Sequence, residues 1–179
     1  ILGDRKGSWS WWKGSRNLSY KINYTIKMPK TNQVDLDNDY GNIYLDNLEG
    51  SASINCDYGR IQVGNLNNIS NSINLDYCST STINYIKKGD IDLDYSKMEI
   101  DEANSLDINA DYSSCKIELL KNLTFSADYG SITVDDVNNI FGSSDYAGMR
   151  FGTVRKNAKI DTEYGGLRIK KLAKGFNSL

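Results

Sequence analysis

An acidic residue followed by tyrosine recurs eight times along this chain of 179 residues. Successive tyrosines lie 17 to 19 residues apart. A period of this size indicates one short structural unit stacked on copies of itself, because so short a unit cannot bury its apolar face alone. The pairs are Asp39-Tyr40, Asp57-Tyr58, Asp76-Tyr77, Asp94-Tyr95, Asp111-Tyr112, Asp128-Tyr129, Asp145-Tyr146 and Glu163-Tyr164.

Apolar residues fill fixed positions of each repeat when positions are counted from the tyrosine. They stand four residues before it and three, five and eight residues after it, with Asp, Asn, Ser, Lys and Thr between them. Alternation of period two is typical of a strand with one buried face. Around Tyr77 the same count assigns Thr80, Thr82 and Tyr85 to the apolar columns.

The repeat therefore predicts an all-β fold, a single-stranded parallel β-helix of about eight coils with terminal caps. Equivalent strands would lie about 4.8 Å apart, which gives a rod roughly 38 Å tall. The handedness of parallel crossovers favours a right-handed coil. A left-handed coil of hexapeptides is the alternative, but the sequence has no clean six-residue apolar period.

The tyrosines are predicted to form a structural ladder, with rings about 4.8 Å apart and within stacking range. Each tyrosine lies an even number of positions after the apolar residue that precedes it in the strand, so both side chains should point to the same side of the sheet. The rings are therefore expected to fill one edge of the core. The alternative is an exposed aromatic stripe that binds sugars. The residue after each tyrosine is small, which suits a tight bend at that position: Gly41, Gly59, Cys78, Ser96, Ser113, Gly130, Ala147 and Gly165.

The acidic column has the opposite parity and is expected to face outward. Like charges 4.8 Å apart repel by about 1 kcal/mol in water. Backbone N–H groups at the corner are expected to bond these carboxylates, and solvent together with Arg60 and Lys97 is expected to screen the remaining repulsion. The alternative is a ladder of bound cations, since calcium prefers clustered oxygens. Its candidate ligands are Asp57, Asp76, Asp94, Asp111 and Asp128; no other metal site is expected.

One domain is expected, divided into three parts. Residues 1–33 form an N-terminal cap and a leading strand, since residues 17–29 alternate apolar with polar. Residues 34–172 form the β-helix repeats, and residues 173–179 form a C-terminal cap with Phe176 as its plug. No run of 18 apolar residues is present, so no membrane span is expected. The sequence leaves membrane anchoring by a segment outside this chain open.

Charge is unevenly distributed, although the net charge is only −2. The middle of the chain is acidic and both ends are basic, which disfavours nucleic acid as a partner. Two groups are candidate ligand contacts: Trp9, Trp11 and Trp12 near the N-terminus, and Arg168, Lys170 and Lys171 near the C-terminus. The favoured interpretation of the tryptophans is a cap or the broken edge of a neighbouring segment, and that of the basic residues is solvated surface.

Catalytic and cofactor motifs are not recognised in this sequence. Histidine is absent, which removes Ser-His and Cys-His pairs. The three cysteines, Cys56, Cys78 and Cys115, occur without metal-binding spacing and are expected to be small core or corner residues. Carboxylates are spread evenly over the coils, whereas a catalytic pair would be a local exception. No catalytic residue and no cofactor are expected.

Three stretches carry a family resemblance: residues 22–41, from Ile22 through the Asp-Tyr-Gly corner, and the later strands 59–63 and 130–134. They resemble a bacterial family of predicted adhesins of unknown function, related to the head domains of autotransporter adhesins. The resemblance covers roughly residues 18–174. It implies a right-handed parallel β-helix, export to the cell envelope or cell surface, and no established enzymatic activity.

The expected function is that of a non-enzymatic exported β-solenoid, an adhesin or envelope module. Its partner would be a surface glycan or a protein, and its oligomeric state stays open. The first alternative is a polysaccharide lyase or hydrolase on the same scaffold. The second is a cytosolic assembly module, suggested by the free cysteines.

Overall fold

The computed structural model describes residues 23–177, and within them all regular structure is β. The strands are β1 (Val34–Asp39), β2 (Asn42–Leu45), β3 (Ala52–Asp57), β4 (Arg60–Leu66), β5 (Asn71–Asp76), β6 (Ser81–Asp94), β7 (Lys97–Asp111), β8 (Ser114–Asp128), β9 (Ser131–Asp145), β10 (Gly148–Glu163) and β11 (Gly166–Leu172). Every pair of neighbouring strands runs parallel.

The chain forms a parallel β-solenoid of about eight coils, as the repeat predicted. One side of the solenoid is built from β1, β3, β5 and the C-terminal parts of β6 to β10. A second side is built from β2, β4, the N-terminal parts of β6 to β10, and β11. Each interior coil pairs with the coil before and the coil after it, and equivalent residues are direct partners.

The core is a set of apolar columns that run along the rod. In one of them Ile91, Ile108 and Phe125 are successive partners, and all three are buried. The next residue in that column is Gly142, where an added Cβ would lie 2.4 Å from the Phe125 ring. A large and a small residue thus share the space between two coils, which keeps the core closely packed.

In the third coil the register differs from the one that counting from the tyrosine gave. Ser81 pairs with Met98, Ile83 pairs with Ile100, and Ile86 pairs with Leu66. The prediction for Thr80, Thr82 and Tyr85 was therefore wrong by one residue. The coil accommodates one extra residue between Tyr77 and Ser81, where no strand is formed. The buried positions are then taken by residues one place further along the chain.

The corner lies at the tyrosines themselves, not at the small residue that follows. All eight tyrosines have φ between 46° and 61°, the left-handed region. The small residues pack inside the turn instead: Cys78, Ser96, Ser113 and Ala147 are buried. At Gly130 an added Cβ would lie 2.0 Å from the carbonyl oxygen of Ser113. The small column is thus explained by close approach between coils.

The described parts of the two ends differ from each other. Residues 23–29 are exposed and form no strand, so the predicted leading strand is wrong for these residues; Tyr24 and Ile26 are exposed. Trp9, Trp11 and Trp12 lie outside the described residues. At the C-terminal end, Phe176 packs against the core, and the backbone N–H of Asn177 donates to the carbonyl of Lys156 at 2.7 Å.

Candidate functional site

The eight tyrosines form one continuous ladder on the outside of the corner. Neighbouring ring centroids lie between 4.8 and 5.1 Å apart, with interplanar angles of 10° or less. The spacing equals the distance between coils, because every tyrosine leaves the backbone at the same corner with the same φ. The predicted tyrosine ladder is thus confirmed as a feature of the fold.

The predicted burial of these rings was wrong. Tyr40 and Tyr164, at the two ends, are 79% and 81% exposed, and the six between them are 48% to 52% exposed. The left-handed backbone at the tyrosine is the physical reason, because it breaks the alternation that parity counting assumes. The side chain that would have pointed into the core points away from it.

Only part of each ring is available to a ligand. Each interior ring has a neighbouring ring against both of its faces at stacking distance, so its outer edge and its hydroxyl are what meets solvent. A sugar or another planar group cannot stack on a ring face within the ladder. Among residues 23–177, Tyr40 and Tyr164 at the two ends of the ladder are the rings that have a stacked neighbour on one face alone. The interior of the ladder therefore offers hydroxyl groups in a row.

Tyrosine is a costly residue for this corner. The left-handed conformation costs a residue with a Cβ roughly 1 kcal/mol, and glycine or asparagine adopts it more easily. The chain accepts this cost at eight positions. Stacking of aromatic rings contributes roughly 0.5 to 1.5 kcal/mol for each pair, which is enough to offset the strain.

Buried hydroxyl groups hold the backbone of the corner beneath the ladder. Ser96 Oγ accepts the N–H of Cys78 at 2.9 Å and can donate to the carbonyls of Asp94 and Leu75, at 2.7 and 2.9 Å. Ser113 makes the equivalent set of bonds one coil later. Each of these two serines thus ties neighbouring coils together and holds the corner on which the adjacent tyrosines stand.

The outer surface of the first side is strongly acidic, and we call it the acidic face. It consists of the outward residues one, three and five places before each tyrosine. Lys159 is the one basic residue among them in the part of the chain that the structure describes. The acidic members are Asp35, Asp37, Asp39, Asp57, Asp76, Asp90, Asp92, Asp94, Asp107, Asp111, Asp128, Asp145, Asp161 and Glu163.

The carboxylates next to the ladder repel one another. Partial burial, and then the charges of Asp57 and Asp94, raise the pKa of Asp76. Partial burial, and then Asp128 and Asp94, raise the pKa of Asp111. The raised pKa of each carboxyl group means that its ionised form is disfavoured in the folded chain.

The predicted hydrogen bonds from the corner to the carboxylates of this column are wrong. Among the described residues, none of these carboxylates accepts a hydrogen bond from the corner. Arg60 instead donates to Tyr44 Oη at 3.1 Å, and Lys97 pairs with Glu99 at 3.0 Å. The repulsion is reduced by solvent and by exposure, and it remains visible in the raised pKa values.

The cation candidates Asp57, Asp76, Asp94, Asp111 and Asp128 lie in a single file, each the strand partner of the next. Across residues 23–177, however, no three His, Cys, Asp or Glu side chains converge as metal ligands would. A calcium site needs six or more oxygens around one point. A straight column on a flat sheet does not supply them.

No family model matches the chain, and no curated protein and no solved structure is significantly similar to it.

The cysteines are not placed for chemistry. All three are buried and free, as the sequence indicated. Burial raises the pKa of Cys115 to about 12, and burial together with the neighbouring Cys78 raises that of Cys56 to about 12. Since the thiolate is the nucleophile, these thiols are poorly reactive. Cys78 Sγ instead donates to the carbonyl of Cys56 at 3.0 Å.

Two open grooves flank the solenoid near its N-terminal end. One, of about 530 Å³, is lined by Asp35, Lys88 and Asp90 among others. Asp35 and Asp90 are three coils apart by the strand register, which is about 14 Å. Paired glycosidase carboxylates lie about 5 to 9.5 Å apart. The other groove, of about 590 Å³, contains the single carboxylate of Asp46.

The basic residues Arg168, Lys170 and Lys171 lie on β11, the last coil, and are exposed. The structure does not bring them to the tyrosine ladder or to either groove. Across residues 23–177, no helix has the length and hydropathy that crossing a membrane requires.

Sequence reasoning missed the breadth of the acidic face. It found the column beside the tyrosines but not the Asp and Asn residues two places earlier. Within that second column, Asn74 Nδ2 donates to Asn55 Oδ1, and Asn109 Nδ2 donates to Asp92 Oδ1, both at 2.8 Å. The same alignment on the tyrosine would have revealed it, because position three before each tyrosine is Asp, Asn or Ser in every coil.

Proposed function

We propose that this chain is a non-enzymatic, exported β-solenoid that serves as an adhesin or cell-envelope binding module of a bacterium. Its ligand is an extended surface glycan that lies along the tyrosine ladder. The observation that carries the proposal is the row of eight tyrosines, exposed on a corner where tyrosine is conformationally costly. Export and envelope location rest on the family resemblance of residues 18–174.

The chemistry of the ladder supports a polymeric ligand with hydroxyl groups. Phenolic hydroxyls can both donate and accept hydrogen bonds, and here they repeat with the ring spacing of 4.8 to 5.1 Å. Monosaccharide units of an extended glycan repeat on a similar length scale, so successive units can meet successive hydroxyls. Many weak contacts of one kind then add up through multivalency.

The negative charge of the surface beside the ladder limits which glycans can bind there. The acidic face borders the ladder along its whole length. Anionic polymers would be repelled there, and so would nucleic acid. A neutral glycan, or one that carries amino groups, suits both the hydroxyls and the carboxylates.

The alternative function, a polysaccharide lyase or hydrolase, is supported less well. Such an enzyme needs converging carboxylates. The groove that contains Asp35 and Asp90 holds them about 14 Å apart by strand spacing, with Ser53 and Ser72 between them in the register. Release of reducing ends or unsaturated sugars from a polysaccharide, lost on Asp90→Asn, would favour the enzyme.

The test is a glycan-binding screen of the folded chain against neutral, amino-bearing and anionic glycans, followed by calorimetry. The decisive variant replaces Tyr95, Tyr112 and Tyr129 by Phe, which keeps the stacked rings and removes three hydroxyls. We expect binding to neutral or amino-bearing glycans and a loss of affinity of roughly tenfold or more in the variant, about the effect of losing one to three hydrogen bonds.

A matched control is Tyr85→Phe, because Tyr85 lies outside the ladder and its hydroxyl accepts a hydrogen bond from Asn104 Nδ2 at 3.0 Å. This variant should bind as the parent does. Equal affinity of the parent and the triple Phe variant would show that the ladder is not the binding surface. Binding to anionic glycans alone would contradict the role of the acidic face.

A further inference from the structure

Exposed basic residues gather around the last two coils of the solenoid. Residues 150–177 carry eight Lys or Arg and two acidic residues, whereas residues 34–149 carry six basic and twenty acidic ones. The charge of the rod therefore changes sign toward its C-terminal end. The basic residues there, all of them exposed, are Arg150, Arg155, Lys156, Lys159, Arg168, Lys170, Lys171 and Lys174.

These cations have few carboxylates beside them. Arg155 pairs with Asp136, and it is the one basic residue after residue 149, in the part of the chain that the structure describes, that forms an ion pair. Arg150 and Arg168 are direct strand partners, so their side chains start about 4.8 Å apart. Like charges at this spacing repel one another, and an anionic partner would relieve that repulsion.

The basic residues are spread around the rod and do not form one stripe along it. Lys170 and Lys171 lie on β11, on the second side of the solenoid. Lys159 lies on the first side, in β10. Lys174 lies in the short segment that follows β11 and covers the end. A planar surface placed against this end would therefore meet positive charge on several sides of the rod.

Apolar side chains are exposed among these cations. Residues 173–177 cover part of the last coil, and Phe176 packs against the core. Leu167 and Leu172 nevertheless remain 43% and 50% exposed, in columns that are fully buried one coil earlier. Exposed apolar side chains surrounded by lysine and arginine are typical of surfaces that lie on membranes, because the cations bind anionic headgroups while the apolar groups enter the interface.

We propose that the C-terminal end of this solenoid docks on an anionic lipid bilayer, with the rod standing on that end. The partner is a bilayer because a soluble polyanion would neutralise the cations but would not cover the exposed leucines. The acidic face runs along the rod from β1 to β10 and is repelled by an anionic surface, so the rod does not lie flat on it.

The test is cosedimentation of the full chain with vesicles of two compositions, phosphatidylcholine alone and phosphatidylcholine with phosphatidylglycerol in equal parts. We expect binding to the anionic vesicles alone, and a loss of affinity of roughly tenfold or more when salt rises from about 0.1 M to about 0.5 M, because salt screens the attraction. Equal binding to both kinds of vesicle, or binding that salt does not weaken, would overturn the proposal.

Charge reversal locates the docking surface. Lys170→Glu combined with Lys171→Glu should raise the dissociation constant for anionic vesicles by roughly tenfold or more, since each basic residue at such a surface contributes about fivefold. The matched control combines Lys116→Glu with Lys121→Glu, two exposed residues of β8.

The control changes the net charge of the chain by the same amount. Lys116 lies three coils from β11 by the strand register, about 14 Å, which exceeds the Debye length of about 10 Å at 0.1 M salt. The control variant should therefore bind as the parent does. An equal loss in both double variants, with circular dichroism showing an intact β fold, would mean that net charge alone acts, and the docking surface would be wrong.

An apolar variant distinguishes a bilayer from a soluble polyanion. Leu172→Ser should weaken binding to anionic vesicles severalfold at low and at high salt, and should leave any binding of inorganic polyphosphate unchanged. A chain that binds polyphosphate but not anionic vesicles would exclude the bilayer as the partner.

The orientation is measured by neutron reflectometry on a supported bilayer of the anionic composition. A rod that stands on its end gives a protein layer about as thick as the rod is long, roughly 38 Å. A much thinner layer would contradict the upright orientation. The triple Phe variant of the ladder should bind vesicles as the parent does, and the Lys170 and Lys171 variant should keep its glycan binding, so the two proposals can fail independently.

Discussion

The apolar columns inside the solenoid and the tyrosine column outside it follow the same rule, yet they differ in how much variety they accept. Inside, the column of Ile91 and Ile108 continues with Phe125 and Gly142. Volume is shared between neighbours, so residue type can change. Outside, all eight positions hold tyrosine, although the backbone there favours another residue. The difference suggests that the interior is specified by volume and the ladder by the chemistry of one side chain.

The largest expected effect comes from the interior. Ile108 is fully buried between Ile91 and Phe125, so Ile108→Ala should lower the free energy of unfolding by about 3 to 4 kcal/mol, through lost burial and a new cavity. Chemical denaturation checks this value. A loss below about 1 kcal/mol would mean that the coil repacks around the gap, and the contrast between the two columns would weaken.

Removal of one tyrosine should cost less, because the ring is half exposed. Tyr112 stacks on Tyr95 and Tyr129 at 4.8 and 4.9 Å, so Tyr112→Ala should cost about 1 to 3 kcal/mol. Tyr112→Gly should cost about 1 kcal/mol less than the alanine variant, since glycine relieves the strain of φ at 49°. Denaturation of both variants measures the difference. A larger loss for glycine would contradict the strained corner.

Alkaline pH should act on the ladder, in addition to its effect on the buried thiols of Cys56 and Cys115, whose pKa values are also raised. Partial burial, and then neighbouring tyrosines, raise the pKa of Tyr58, Tyr95 and Tyr129. The stabilisation linked to these raised values is complete below the pKa of unfolded tyrosine, about 10, and is lost as pH rises through the folded pKa. Denaturant unfolding between pH 8 and pH 11 should show this decline, with a smaller decline in the triple Phe variant.

The smallest effect is expected in the acidic column. Asp111→Asn removes a charge that faces Asp94 and Asp128, and should stabilise the fold by about 0.5 to 1 kcal/mol at neutral pH. The pKa of Asp111 is raised in the folded chain. The stabilisation linked to its protonated carboxyl group is therefore fully present below the pKa of unfolded aspartate and is lost as pH rises through the folded pKa. Stability of the parent should therefore increase as pH falls from 7 into that range.

The asparagine variant should gain less on acidification than the parent. Asp107→Asn serves as the comparison, because Asp107 has an acidic partner on one side, Asp90, and Thr124 on the other. Its stabilisation should be smaller than that of Asp111→Asn. Thermal unfolding at pH 7 and pH 4.5 distinguishes the two, and equal shifts would mean that neighbouring charges in the column are not coupled.

The sequence predicted the stacking of coils because a period repeated eight times leaves one arrangement that buries every repeat. Equivalent residues then become neighbours, and columns can be read directly. The prediction of which residues are buried failed where it assumed an unbroken strand. One extra residue between Tyr77 and Ser81 moved the buried positions to Ile83 and Ile86, and no local pattern marked that insertion.

Other features could not be read because they depend on backbone conformation. Counting positions along an unbroken strand predicted that the tyrosine side chains point into the core. The break in the strand was missed because tyrosine is not a residue expected at φ near +50°. The extended pattern of residues 17–29 predicted a strand, but a strand also needs a partner edge, and residues 23–29 form none. The acidic column was found, but the hydrogen bonds expected from the corner to its carboxylates do not form, because the corner N–H groups donate to backbone carbonyls of neighbouring coils or to buried serines.

The bonds between coils have a mechanical consequence. They run along the axis of the rod, and each coil is held by the coil on either side of it. Tension applied to the two ends of the chain therefore peels the outermost coil first, and the next coil becomes loaded only after that one has come free. A tether built in this way would unfold one coil at a time, and each step would lengthen the chain by 17 to 19 residues. The coils that have not yet been reached would stay folded.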